Sequence, residues 1–407
     1  MESCFVKILL VHNSYQQPGG EDVIFEQEGQ MLKNAGHEVV LYRRSNWESQ
    51  AYPGIQKIIL AKGALWASDS RRDLVRLLRE EKPEIVHVHN TFMMISPSIY
   101  SACHEANVPV VQTLHNYRLL CPAATLFREG KVCEECVGGS LWPSVKYGCY
   151  RDSRPTTAVV AMMLTTHRLL GTWEHQVTCY VALTEFSRSK FIEGGLPPEK
   201  IFVKPNFVSP DPYARTGNGD YALFVGRLSP EKRVTTVLAA WKRLPRSIPM
   251  KVIGGGPDRA QLEAQAVEGG LTHVQFLGHL PREQTLAAIN NARFLVFSSE
   301  WYENFPVTIA EAFACRTPVV ASNIGAMKEI VSDGRTGLLF SAGDAEDLSQ
   351  KVAWAWSHPD EIRVMGIEAR KEYESKYTAE KNYTMLIEIY QRALERVTFA
   401  GASSRQS

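Results

Sequence analysis

The sequence has almost no net charge: 45 Lys and Arg against 44 Asp and Glu leave +1 over 407 residues. A chain that wraps nucleic acid carries a clear basic excess, so no nucleic-acid partner is expected. Cysteine is scarce, at 8 residues, far too few for a disulfide scaffold. No apolar run approaches the roughly 18 residues that a membrane-crossing helix needs. The nearest stretch, Thr156–Leu170, is broken by His167 and Arg168. Met1–Leu10 lacks the basic stretch, apolar core and cleavage site of a secretory leader. Short-period repeats are missing, and the only low-complexity tract is the polar ending, so residues 399–407 are expected to be a disordered tail. The expectation is a cytoplasmic, multidomain globular protein. What is present agrees with that class: 44% hydrophobic and 22% charged residues are ordinary, and the length predicts two to three domains at about 150 residues each.

The order of apolar segments is that of an α/β protein. VKILLVH (Val6–His12) reads as a buried parallel strand, followed by a glycine loop, a helix ending near Gly36 and the strand HEVVLYRR. This is a βαβ unit. Asp73–Pro83 reads as a helix, and Glu84–Asn90, Pro109–Asn116, Val177–Phe186 and Lys200–Phe207 as strands. Val208–Asp220 then gathers Pro, Gly, Asp and Asn, which marks a linker. Beyond it the alternation restarts with YALFVGRL, PMKVIGGGP, VQFLGHL, ARFLVFSS and RTPVVAS as strands. The expected fold is two doubly wound, Rossmann-like α/β domains facing a cleft, because ligands of open α/β sheets sit beyond the carboxyl ends of the strands. The domains are placed at 1–207, with a cysteine-bearing insert at about 117–155, and at 221–380, joined by 208–220. The helical pattern at 381–398 is expected to pack back on the first domain.

Three loops carry residues suited to binding chemistry. Glu303 and Glu311 are separated by seven residues, Glu303 on a loop after a strand and Glu311 about one turn into a helix starting near Pro306. Carboxylates accept hydrogen bonds from sugar hydroxyls, and the amides of Asn304 and Phe305 beside a helix start suit a polar or anionic ligand. The spacing alone also fits two acids exposed at a helix start. In FVGRLSPEKRV, Gly226 allows close backbone approach, and Arg227 and Lys232 suit a diphosphate as a bidentate fork and a point charge. Two solvated surface cations fit equally. Gly19 and Gly20, in PGGED, offer N–H groups before a helix, and both they and GGGP (Gly254–Pro257) also fit ordinary turns.

Together ENFPVTIAE, FVGRLSPEK, GGGP, KPNFV and QTLHN resemble retaining glycosyltransferase family 4, with its GT-B fold, over residues 6 to 395. The resemblance implies transfer of a sugar from a nucleoside-diphosphate sugar to a saccharide or lipid-linked acceptor in polysaccharide or glycolipid assembly. It implies that Arg227 and Lys232 hold the donor diphosphate, Glu311 the ribose, and Glu303 with the following amides the donor sugar. Gly19 and Gly20 then lie near the phosphates, and His115 near the donor sugar and reacting centre. No cofactor is implied for catalysis. The family's usual Gly-Phe-Gly is here Asn304-Phe305-Pro306, and its usual Asp after the histidine is Asn116. A nucleotide-sugar 2-epimerase or a non-catalytic sugar-nucleotide-binding protein would share the architecture.

Two further expectations stand apart. Cys121, Cys133, Cys136 and Cys149 read C-x11-C-x2-C-x12-C, which is compatible with a tetrahedral structural zinc site, with a redox pair, or with incidental thiols. Gly54–Trp66, followed by Arg71, Arg72, Arg76 and Arg79, combines apolar and basic residues. That pattern fits a weak peripheral contact with the inner membrane face, or a helix pair with a solvated basic face.

Overall fold

The computed structural model describes residues 5–16, 19–51, 57–212, 214, 217 and 219–403. It divides into two compact units. The first comprises Met1–Thr125, Glu134–Pro205 and Asn382–Ser407; the second comprises Leu126–Cys133 and Asn206–Lys381.

The first unit holds a sheet of β1 (Lys7–Ser14), β2 (Glu38–Ser45), β3 (Ile85–Asn90), β4 (Val110–Thr113), β7 (Cys179–Ala182) and β8 (Ile201–Val203). A short hairpin, β5 (Phe127–Arg128) and β6 (Lys131–Val132), belongs to the second unit. The sheet order is β2-β1-β3-β4-β7-β8, with every pairing parallel. A parallel sheet covered on both faces needs near-continuous apolar strands. Ile8–Val11 and all of β3 are accordingly buried. β3 nevertheless carries His87 and His89 inside that buried run. The helix Gly20–Asn34 turns Ile24, Phe25 and Leu32 inward, and the last helix, Ala379–Ser403, adds Leu386, Ile389, Tyr390 and Ala393 to the same core.

The second unit holds β9 (Ala222–Val225), β10 (Met250–Ile253), β11 (Val274–Gly278), β12 (Phe294–Phe297), β13 (Val319–Ser322) and β14 (Gly337–Phe340), in the order β11-β10-β9-β12-β13-β14. All pairings are parallel. In this unit's own count that is 3-2-1-4-5-6, the doubly wound dinucleotide-type order. Its core packs Phe224, Trp241, Phe294 and Phe340 with the aliphatic residues of the flanking helices.

Some boundaries differ from the sequence reading. The strand Gly337–Phe340 and the helix Ser98–Glu105 add to it, each being too short to show a clear period. The linker does not begin loose, since Val208 is buried and its N–H donates to Tyr377 O at 3.0 Å. Part of the cysteine-bearing insert sides with the second unit, where Arg233 Nη2 donates to Gly130 O at 2.6 Å. Residues 399–403 of the expected tail continue the last helix, and 404–407 lie outside the described residues.

Candidate functional site

In an open α/β sheet the crevice opens where the strand order reverses, beyond the carboxyl ends of the two strands concerned. In the second unit those strands are β9 and β12. The loop after β9 is Gly226–Arg233, and the loop after β12 runs from Ser298 to Pro306. The topology therefore brings the two motif loops side by side, although Arg227 and Glu303 are far apart in sequence.

Hydrogen bonds join the loops. Glu300 N–H donates to Glu231 O at 3.0 Å, and Ser298 Oγ donates to Lys232 O at 2.8 Å. Lys232 Nζ donates to Glu303 Oε1, which also accepts Ser299 Oγ at 2.7 Å. The Lys232 ammonium lies 5.3 Å from the Phe297 ring centroid and 5.6 Å from that of Trp301, so it is held by a carboxylate and two aromatic faces. Glu303 is 7% exposed, which rules out the solvated-acid reading of this residue. Arg227 is exposed and makes no ion pair among the described residues. The two cations thus differ: one is clamped, the other open to solvent.

Glu311 lies on the helix Val307–Ala314, just beyond its first turn. Burial pushes its carboxyl above the usual range, and Arg282, at 3.5 Å, works against that shift. Asn304 and Phe305 are buried, and the Phe305 ring meets Tyr377 edge-on with centroids 5.6 Å apart.

GGGP is more than a turn. Gly254 and Gly256 have φ of +142° and +158°. A Cβ on Gly254 would stand 1.9 Å from Gly226 O, and one on Gly256 would stand 2.2 Å from Leu228 O. Leu228 N–H donates to Gly255 O at 2.9 Å, and Asp258 N–H to Leu228 O at 3.1 Å. The backbone on both sides of Arg227 is therefore fixed by this second turn. Gly254→Ala is expected to cost about 2 kcal/mol from overpacking and backbone strain. It should lower the thermal unfolding midpoint of the chain, and a midpoint equal to wild type would show that the close approach is not needed.

The first unit places Gly19 and Gly20 at the start of the helix after β1, both exposed. The Gly19 amide is engaged within the chain. Gly19 N–H donates to Asp22 Oδ2 at 2.7 Å, and Asp22 Oδ1 meets His12 Nε2 at 2.9 Å. Beside it, Glu21 accepts from Asn90 Nδ2 at 2.9 Å and Asn116 Nδ2 at 3.2 Å. Burial, with Asp22's charge added, pushes the Glu21 carboxyl up to about 8. Two acids thus occupy this helix start.

His115 follows β4, half-buried, its Nε2 2.9 Å from His89 Nδ1. Burial, reinforced by His89, holds its pKa well below the ordinary imidazole value. Behind it lies a buried polar cluster of Glu28, His87, His89 and Lys204 that the sequence reading misses. Its one available signal is a pair of histidines at i and i+2 in an otherwise aliphatic strand.

The cysteine quartet is not gathered into a close group of metal-capable side chains. Among the described residues, the three or more metal-capable side chains with donor atoms within 4.8 Å of one another are Glu28, His87 and His89, not the cysteines. Cys121 and Cys136 are buried and Cys133 and Cys149 half-buried, without disulfides. Cys133 belongs to the second unit and the other three to the first. The Gly54–Trp66 expectation lies partly outside the described residues. Of the basic residues after it, Arg71 pairs with Glu105 at 2.5 Å and Arg76 with Asp73 at 3.4 Å, so that face is not uniformly cationic. No helix among the described residues is long and apolar enough to cross a membrane.

Two family models match the chain: Glycosyltransferase Family 4 over residues 18–212 and Glycosyl transferases group 1 over residues 209–372. An uncharacterized glycosyltransferase of Methanocaldococcus jannaschii is 29% identical over 206 residues, covering 50% of this chain and 58% of that protein. The D-rhamnosyltransferase WbpZ of Pseudomonas aeruginosa is 30% identical over 161 residues, 39% of this chain and 42% of that one. The chain thus spans about half the length of these curated relatives. Anabaena HepE, solved with UDP and glucose, superposes with a TM-score of 0.63 at 18% identity, covering 97% of this chain and 99% of that one. With two parallel α/β units and both models in register along the sequence, the chain belongs to the family 4 type of glycosyltransferases with the GT-B fold.

Proposed function

We propose that the chain is a retaining glycosyltransferase that moves a hexosyl-type sugar from a nucleoside-diphosphate sugar to a saccharide or lipid-linked acceptor in polysaccharide or glycolipid synthesis. The observation that carries this reading is the pairing of Lys232 with Glu303 between the loops after β9 and β12. A buried carboxylate and a cation at a sheet's switch point suit a ligand with hydroxyls at one end and a diphosphate at the other. The HepE structure with UDP and glucose supports the same ligand class.

In this reading Arg227 and Lys232 take the diphosphate, Glu311 the ribose, and Glu303 with the amides of Asn304 and Phe305 the donor sugar. The bond from the anomeric carbon to the phosphate oxygen breaks, and negative charge grows on the departing phosphate. Arg227 and Lys232 stabilise that charge, so the step needs no metal from the protein. The acceptor hydroxyl attacks the same face of the oxocarbenium-like sugar, and its proton passes to the departing phosphate oxygen. The new bond keeps the donor's configuration. Glu303 binds hydroxyls here and is not the nucleophile of a retaining glycosidase. Within the first unit, His115 is assigned to sugar hydroxyls and Gly20 to the vicinity of the phosphates.

A thermal-shift screen over UDP-, GDP-, ADP- and dTDP-sugars tests the donor class. A donor at a hundredfold excess over its Kd adds about 2.7 kcal/mol to the folded state. Sugars on one base are expected to raise the midpoint; no shift with any of them would overturn the reading. Release of nucleoside diphosphate that depends on added acceptor separates transfer from epimerisation.

A further inference from the structure

The buried cluster beneath His115 has a direction. Glu28 Oε2 accepts from Lys204 Nζ at 2.8 Å. Glu28 Oε1 lies 3.1 Å from His89 Nε2 and 3.1 Å from His87 Nδ1. His89 Nδ1 in turn lies 2.9 Å from His115 Nε2. His87 shares the Glu28 Oε1 oxygen and is also flanked by Thr113 Oγ1, 2.8 Å from its Nε2, and Tyr390 OH, 2.8 Å from its Nδ1. Glu28, His87, His89 and Lys204 are each no more than 3% exposed.

The proton positions follow from the carboxylate. Burial alone would raise the Glu28 pKa, but Lys204, His87 and His89 overcome that and hold it well below the usual range, so Glu28 is charged. Among the described residues neither Glu28 Oε1 nor His89 Nε2 makes a hydrogen bond, so their 3.1 Å contact is electrostatic; a bare imidazole lone pair that close to a carboxylate oxygen is repelled, and the proton of a neutral His89 sits on Nε2. Its Nδ1 is then an acceptor. Only a donor satisfies it, so His115 carries its proton on Nε2, and the remaining ring nitrogen of His115, Nδ1, is a lone pair. The Lys204 ammonium on Glu28 Oε2 already balances the carboxylate, and Tyr390 OH lies within hydrogen-bond distance of His87 Nδ1, both of which compete with a metal dication on this group.

We propose that Glu28 and His89 are positioning residues that fix the His115 proton on Nε2 and so present Nδ1 as a hydrogen-bond acceptor to a sugar hydroxyl. This rests on the assignment of His115 to the sugar in the reading above. The tautomer itself is a property of the chain without ligand. A neutral, acceptor-only nitrogen takes a hydroxyl hydrogen without adding positive charge beside an oxocarbenium-like sugar.

Long-range proton–nitrogen spectra of the full chain labelled with 15N-histidine test the proposal, with the His115 signals assigned through a His115→Gln variant. Wild type is expected to show His115 as the Nε2–H tautomer. His89→Leu should convert it to a tautomer mixture and lower kcat about tenfold or more. His89→Asn places an oxygen acceptor where Nδ1 stood, and should restore both the Nε2–H signal and most of the activity. An Nδ1–H tautomer in wild type, or a His115 signal unaffected by His89→Leu, would overturn the relay whatever the activity. Should the His89→Leu substitution unfold the chain, the wild-type tautomer and the His89→Asn spectrum still decide. If the tautomer is as expected and His115→Gln transfers sugar at the wild-type rate, the relay stands and the assignment of His115 to the sugar fails.

Discussion

Lys232→Ala is expected to lower kcat for sugar transfer by about 10²–10³, the usual cost of removing one preorganised group that stabilises charge developing on a leaving oxygen. The argument is geometric. Lys232 sits on a tight turn, Pro230–Lys232, whose backbone is tied to Ser298, and its ammonium is clamped by Glu303, Phe297 and Trp301. In the proposed reading, a bound diphosphate would compete with Glu303 for Lys232, and the freed carboxylate would then accept sugar hydroxyls. One substitution thus removes the cation and alters the state of its partner. Ser299 remains as a donor to Glu303, so the fold should survive, which circular dichroism checks. Lys232→Arg should recover only part of the rate, because a planar fork does not replace a compact ammonium. Turnover near the wild-type rate in Lys232→Ala would remove the cation from the account.

Lys204→Met carries the largest stability effect, about 3–5 kcal/mol, the range for breaking a buried pair by deleting one partner. Lys204 is 1% exposed, 2.8 Å from Glu28 Oε2 and 2.9 Å from Asn382 Oδ1. It therefore joins the helix after β1 to the last helix, and its loss leaves the Glu28 carboxylate buried beside two imidazoles. The sign with pH follows from Glu28. Its folded pKa is lowered, so its contribution is fully present above the ordinary carboxylate value near about 4.3 and is lost as pH falls through the lowered one. Urea unfolding reads the loss. Glu28→Gln with Lys204→Met should recover much of it, since no uncompensated charge is then buried. A single variant as stable as wild type would show that the pair contributes nothing net.

The sequence makes visible whatever is local. Runs such as VKILLVH and ARFLVFSS announce parallel strands because a strand buried on both faces has no room for alternation. The loops around Arg227 and Glu303 are legible as motifs for the same reason, each being one contiguous segment. Their adjacency is not, because it depends on β9 and β12 pairing across 3-2-1-4-5-6 order. The cluster behind His115 is hidden for a stronger reason: Glu28 and Lys204 are 176 residues apart, and Lys204 and Asn382 are 178 apart. No periodicity encodes such a contact. Spacing likewise cannot show that Asp22, three residues on, takes the Gly19 amide. Nor does the cysteine spacing show that Cys133 falls in one unit and Cys121, Cys136 and Cys149 in the other.

The central claim is that the loops after β9 and β12 hold a nucleoside diphosphate. It is tested most directly by calorimetric titration of UDP, GDP, ADP and dTDP into wild type, Arg227→Ala and Lys232→Ala. The account predicts one site per chain for one of these nucleotides in wild type, and at least tenfold weaker binding in each variant, about 1.4 kcal/mol for a lost charge-assisted contact. Equal affinity in all three proteins, or no binding of any of the four to wild type, would contradict it.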